Sequence, residues 1–399
     1  MHSATFRRSR ARLVVLLPML ALIAGACSST ATQAPTAAPA TQAPTAAPAT
    51  QAPAETPAAE KVYKIVLSNN YVGNQWRLQM QNIVKAMVAN NAPYKGAVDL
   101  KVIVAEGDPT AQIQSLQSII ATKPDAILLD ASSSTALNPV LQQACAAGIV
   151  VISFDQTVTE PCTYRVRERS EELYVSNAEW LAASIDYKGN IIRDLGLPGQ
   201  PLSEISNDTT STVWKQYPDI KVVATFEGNY APGPSQKAVA SILATNKDIQ
   251  AVNSLAGSDG VIQAFLQAGV PLVPMNNTGD IAVRTLELWK EHKGEGTFQI
   301  QFADNPPTFG GYALEVAWRV LHGQDPVNTE WGMTAGNDAK EIFLPLLVYN
   351  TNGITDKIPA KVLPVDDLMH FLDEGLAPDT QLPYSIPQSP VTKEQVFGQ

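Results

Sequence analysis

From residue 62 onward, short apolar runs alternate with stretches of helical periodicity, and only a few residues join one to the next. This alternation leaves few folds open. Strands that run the same way need a long crossover, and a helix is the usual one. Helices so placed cover both faces of a parallel sheet. Residues 62–68 read as a strand bounded by Asn69-Asn70, after which Trp76, Met80, Ile83, Val84, Met87 and Val88 recur at helical spacing. Residues 98–105 form the next strand. Asp108-Pro109 supplies an N-cap and a first-turn residue for a helix whose apolar face is Ile113, Leu116, Ile119 and Ile120. A buried strand at 126–129, a helix at 137–147 closed by Gly148, and a strand at 149–154 complete the round.

The pattern then restarts. Helices are expected at 177–185, 210–216, 236–245, 261–267 and 280–292, with strands at 190–192, 222–226, 251–254, 271–275 and 297–302. A long helix at 309–321 ends at Gly323. Beyond Asp325 the signal weakens: residues 342–348 read as a strand and 365–371 as a short helix. The fold class is therefore α/β, with two tandem Rossmann-like parallel-sheet units. Open sheets of this kind bind small molecules at the carboxyl ends of their strands, and two facing units make a cleft.

The first sixty residues are of another kind. Arg7, Arg8, Arg10 and Arg12 precede an uncharged stretch at 13–26, which is the form of an export signal occupying residues 1–26. Ala24-Gly25-Ala26-Cys27 resembles the lipobox of bacterial lipoproteins, with Ala24 where that motif favours Leu. Acylation of Cys27 is expected, with ordinary secretory cleavage as the alternative. Residues 31–57 repeat a nine-residue Ala/Thr/Gln/Pro unit three times. Pro at this density blocks regular hydrogen bonding, and no large apolar side chain offsets the entropy of ordering. Residues 27–60 are therefore a linker that places the folded body beyond the membrane.

Without the signal, the chain carries 24 basic and 38 acidic side chains. That acidity argues against nucleic acid, whose affinity comes from Lys and Arg neutralising phosphates. No later stretch has the length and apolarity of a membrane span. Cys145 and Cys162 remain once Cys27 is set aside. In an oxidising compartment they are expected to pair, with two free buried thiols as the alternative. G-x-S-x-G, H-E-x-x-H, C-x-x-C and phosphate-loop motifs are all missing. Only His292, His322 and His370 follow the signal, each on or beside an expected helix. Nothing supports an enzyme, and no cofactor or metal is implied.

Between about residues 62 and 325 the chain resembles the periplasmic sugar-binding proteins of ATP-driven importers, of the ribose-binding type. The stretches that carry the likeness are Ser68-Asn69-Asn70, Ile149 to Asp155, Lys188 to Ile192, Tyr217 to Val223 and Gly260 to Gly269. The resemblance implies a non-catalytic, monomeric receptor whose hinge closes over a small polar solute, a sugar, before it docks on a membrane permease. It implies ligand contacts from Asn69, Asn70, Tyr71, Trp76, Asp155, Gln156, Asn207, Asp259, Asn276 and Asp304. Ser206, Asp208, Ser258, Asn277 and Asn305 lie at similar strand ends. Residues 194–214 contain no Arg and Gln156 follows Asp155, so a guanidinium would have to come from Arg77 or Arg165. The expected lobes are 61–163 plus about 304–328, and 164–303 plus about 329–399. A sensory module for a membrane receptor or kinase is the alternative function.

Overall fold

In the computed structural model, the structure describes residues 61–398 except residue 280. The export signal, Cys27 and the repeat lie outside the described residues. From the start, the chain forms β1 (Tyr63–Asn69), α1 (Gln75–Asn90), β2 (Val98–Val104), α2 (Pro109–Ala121) and β3 (Ala126–Asp130). It continues through α3 (Asn138–Ala146), β4 (Val150–Phe154) and β5 (Tyr164–Arg167). A second series follows: α4 (Ser170–Ser184), β6 (Gly189–Asp194), α5 (Pro201–Trp214), β7 (Ile220–Phe226), α6 (Pro232–Leu243) and β8 (Ala251–Ser254). It ends with α7 (Ser258–Ala268), β9 (Met275–Thr278), β10 (Ile281–Ala282), α8 (Val283–His292) and β11 (Ile300–Ala303). The rest comprises α9 (Phe309–Leu321), β12 (Thr334–Ala335), β13 (Glu341–Phe343), β14 (Leu347–Asn350), β15 (Lys361–Pro364), a 3₁₀ stretch (Val365–Glu374), β16 (Gln381–Leu382) and α10 (Lys393–Phe397).

β10 pairs separately with β16, and the other fourteen strands build two seven-stranded sheets, β12-β13-β5-β4-β3-β1-β2 and β15-β14-β11-β9-β8-β6-β7. In each, the central strands are parallel and follow one pattern, β2-β1-β3-β4-β5 and β7-β6-β8-β9-β11. The order therefore reverses between β1 and β3, and again between β6 and β8. The loops after those strands diverge to opposite faces and open a crevice.

Side-chain alternation sets the layers. Ile65 and Leu67 of β1 face α1 and α9, with Met80, Ile83, Phe309 and Leu314, while Val66 faces Leu116, Val140 and Leu141 beneath α2 and α3. Asp108 caps α2 by accepting from Thr110 N at 2.8 Å. Gly323 ends α9 in the left-handed region at φ +67°.

The chain passes between the two seven-stranded sheets three times, at residues 168–169, 304–308 and 344–346. The third passage corrects a sequence expectation. Residues 342–348 are not one strand: β13 pairs with β5 in the first sheet and β14 with β11 in the second, because Pro345 breaks the ladder between them. The expected lobe boundaries shift with it. β5, β12 and β13 belong to the first sheet, and Ile386, Val391 and Val396 pack into the first lobe's core. β9 begins at Met275 rather than 271, since Pro271 and Pro274 have no N–H to give a ladder. α4 starts at Ser170 and α5 at Pro201, both earlier than expected. Glu171 and Glu172 suit the positive end of α4, and Pro201 suits the first turn of α5.

Candidate functional site

The two crevices face each other across a cavity of about 190 Å³, far more than the ~10–15 Å³ that a single water needs on a comparable measure. The first lobe lines it with Tyr71, Asn74, Gln75, Trp76 and Arg77, from the β1–α1 loop and the start of α1, and with Asp155 and Gln156 after β4. The second lobe contributes Leu202, Tyr230, Pro232, Leu255, Asp259, Thr278 and Arg284 among others. Tyr174 of α4, Asn305 of the second passage, and Pro378, Asp379 and Gln381 of the tail complete the wall.

Arg77 is the anchor of the first-lobe side. Asn74 caps α1 by accepting from Arg77 N at 3.0 Å, which fixes where the first turn points its side chains. The guanidinium turns inward and is shared between the buried carboxylates of Asp130 and Asp155. It also donates to Asn69 Oδ1 at 3.4 Å. Its face lies 5.0 Å from the Tyr71 ring centroid and 5.3 Å from that of Trp76. Trp76 Nε1 donates to the backbone oxygen of Asn305 at 2.7 Å and so ties α1 to a passage between the lobes.

Asp155 sits in the left-handed region at φ +54°, a conformation a non-glycine residue adopts at a cost of order 1 kcal/mol or more. Its Oδ1 accepts from Asn305 Nδ2 at 3.1 Å. Burial pushes its carboxyl above the usual range, while Arg77, Asn305 and the Gln156 amide pull it back.

On the second lobe, Asp194 at the end of β6 organises the loops. Its Oδ1 accepts from Gly196 N and Gly228 N, each at 2.8 Å, and its Oδ2 from Leu255 N at 3.4 Å. A Cβ at Gly228 would stand 2.5 Å from that carboxylate, so the close approach requires glycine. Burial raises the Asp194 carboxyl to about 6 against the pull of these amides. The loop held this way presents Tyr230, at φ +54°, whose hydroxyl meets Ser203 Oγ.

Two further buried acids stand at the passages between lobes. Burial raises Glu168 to about 7, as does the nearby Asp155 charge. Asp304 is also raised to about 7, by burial and then by Glu168.

Of the residues singled out from sequence, Tyr71, Trp76, Asp155, Gln156, Asp259 and Asn305 converge on the cavity. Asn69 lies beneath it, supporting Arg77. Asn70 points across the cleft instead, donating to Ala131 O and to Gln200 Oε1, each at 3.0 Å. Asn207 faces away from the cavity, because α5 begins earlier than expected and turns its side-chain oxygen to Arg193 at 2.9 Å. Asn276 is spent inside the sheet, donating to Ser254 O and accepting from Asn253, each at 3.0 Å. The Asp304 side chain lies outside the lining, behind Asn305. Ser206 is buried under α5, Asp208 is exposed on it, Ser258 bonds Ser254 and Asn277 is buried in β9. Arg165 pairs with Asp338 outside the cavity.

Sequence reasoning missed Tyr230, Arg284 and the tail. The run Gly228-Asn229-Tyr230-Ala231-Pro232 after β7 was a usable turn signal for the first. Cys145 and Cys162 are disulfide-bonded, with Cα atoms 6.3 Å apart. Among the described residues no cluster of three His, Cys, Asp or Glu could hold a metal ion, and no helix is long and apolar enough to cross a membrane.

The sequence profile of the periplasmic binding protein domain matches residues 65–325. The ribose import binding protein RbsB of Bacillus subtilis (strain 168) is 24% identical over 275 residues, covering 66% of this chain and 84% of that one. An ABC transporter solute binding protein from Thermobispora bispora is 29% identical, with a TM-score of 0.65 over 84% of this chain and 94% of its own. The arabinose-binding component from Shewanella sp. ANA-3 is 20% identical and shares the fold, with a TM-score of 0.61 over 72% and 91%. Paired sheets of matching strand order, the cavity between them and the extent of the profile match together place this chain in the periplasmic binding protein domain family.

Proposed function

We propose that this chain is an extracytoplasmic receptor, held to the membrane by a lipid on Cys27. Its lobes close over a small uncharged sugar and present it to the permease of an ATP-driven importer. One observation carries the ligand class. Asp259 Oδ1, Asn305 Oδ1 and Gln381 Oε1 line the cavity, are buried, and have no hydrogen-bond partner among the described residues. Buried polar atoms are nearly always partnered. Hydroxyl groups suit this set, since each can donate and accept. The faces of Tyr71, Trp76 and Tyr230 offer apolar surface to the C–H side of a sugar ring.

The charges favour a neutral ligand. Arg77 is shared by two carboxylates, and Arg284 donates to Glu287 at 3.0 Å, so both lining guanidinium groups are already matched. An acidic ligand would compete for them. Among the described residues the lining includes no Ser, Cys or His, which disfavours a hydrolase of the Ser–His or Cys–His type. The ribose import binding protein among the relatives adds support for a sugar.

Thermal-shift measurements against pentoses, hexoses, polyols, amino acids and organic acids test the reading. A sugar at 100 times its dissociation constant should add about 2.7 kcal/mol. Stabilisation by amino or organic acids alone, with every sugar inert, would retire it.

A further inference from the structure

The family profile ends at residue 325, yet the cavity wall includes Pro378, Asp379 and Gln381. The segment that carries them belongs to both lobes. Val365, Leu368 and Leu382 lie in the second lobe's core, and Ile386, Val391 and Val396 in the first lobe's. Between Leu382 and Ile386 the chain passes from one core to the other.

The crossing is fastened at each end. In the second lobe, β16 pairs with β10, placing Leu382 opposite Ile281 and Gln381 opposite Ala282. In the first, the Gln79 side chain donates to Gln381 O at 2.6 Å and accepts from Gln381 N at 2.9 Å. Further on, Asn91 Nδ2 donates to Ser389 Oγ at 3.0 Å and to Pro390 O at 2.9 Å. Gln381 is thus gripped by both lobes at one residue, beside the cavity, with its own Oε1 turned into the lining.

We infer that residues 376–398 form a strap across the cavity that limits how far the lobes can part. The geometry of the strap is independent of the ligand; its purpose rests on the receptor reading above. Four peptide steps span at most about 14 Å. Beyond that separation, Leu382 or Ile386 must leave its core. This is a fourth link between the lobes, and unlike the other three it contributes side chains to the ligand wall from outside the family domain.

The test reads the distance between the lobes without any ligand. Lys101→Cys and Lys221→Cys place one exposed label on each lobe, in the full chain with Cys27→Ser, and pulsed electron spin resonance gives the distance distribution. Two variants loosen the strap: Gln79→Ala, and a flexible Gly/Ser insertion of about twelve residues after Tyr384, which leaves both docked ends in place. Both should broaden the distribution toward longer distances, the insertion more than the substitution. Unchanged distributions in both would overturn the strap. Failure of every sugar to bind would refute the proposed ligand class but not touch this result.

Discussion

Asn70 of the first lobe donates to Gln200 of the second at 3.0 Å, and neither residue lines the cavity. Gln200 donates on to Ser132 O at 3.4 Å, and Gln156 Oε1 accepts from Leu202 N at 3.1 Å. These bonds hold only while the lobes are together. The bonds of Gln200 favour the closed state from outside the cavity, and a ligand's apparent affinity scales with the population of its competent state.

Gln200→Ala should therefore weaken binding of whichever sugar stabilises the wild type. One hydrogen bond of about 1 kcal/mol predicts roughly a five-fold rise in Kd. Calorimetric titration checks this; an unchanged Kd would show that closure does not depend on the bridge.

Arg77→Ala should be among the most damaging single changes in the first lobe. It leaves Asp130 and Asp155 buried with no cation between them. Breaking such a group costs about 3–5 kcal/mol. Arg77→Lys should recover only part of this, because a point charge cannot fork between two carboxylates. Urea unfolding would measure both, and a loss below about 1 kcal/mol would mean the carboxylates relax or protonate instead.

Stability should rise as pH falls from 8 to 5. Glu168 and Asp304 are raised to about 7 and Asp194 to about 6, all above their unfolded values. Between those limits the folded state binds more protons than the unfolded state, so acidification favours folding. The destabilisation is fully present above the folded pKa and is relieved as pH drops through it. The charge of Asp155 raises Glu168, and that of Glu168 raises Asp304, with Arg167 and Tyr174 nearby. The gain is on the order of 2 kcal/mol for each of the two groups near 7, because a tenfold change in proton affinity between the folded and unfolded chain is worth about 1.4 kcal/mol. Glu168→Gln should flatten the thermal-melt profile over this range. A wild-type midpoint that falls steadily from pH 8 to 5 would contradict the assignment.

Replacing Cys145 and Cys162 with Ser should lower stability by about 3 kcal/mol, the chain-entropy value for a loop of this length. Reducing agent should lower the wild-type melting temperature to that of the variant and leave the variant unmoved.

Gly260→Ala should destabilise by about 1–3 kcal/mol. A Cβ there would stand 2.0 Å from Pro232 O, so α6 and α7 would have to part, and Pro232 lines the cavity. Sugar affinity and unfolding free energy should fall together; a neutral substitution would show that the helices have room to shift.

The alternation of apolar runs made both α/β units readable from the sequence, as did the Asp108-Pro109 cap and the Gly323 stop. Strand-end reasoning reached Asp155 and Tyr71 because such positions depend on local order along the chain. It failed at Asn276 and Asn207, whose amides are absorbed by neighbours inside the second lobe. Arg77 and Arg165 stood as equal candidates for the guanidinium; what selects Arg77 is Asp130 and Asp155, which only the sheet brings beside it. The split of residues 342–348 was hidden because an apolar run continues through Pro345 while the chain changes lobes.

Three of the four links between lobes carry proline: Asn305 is followed by Pro306-Pro307, Leu344 by Pro345, and Leu382 by Pro383. A pyrrolidine ring locks φ and restricts the residue before it. Such joints resemble stiff pins more than loose thread, so the ligand-free molecule has fewer arrangements to wander through. Less disorder is then surrendered when a guest draws the halves shut, and more of the contact energy remains to hold it.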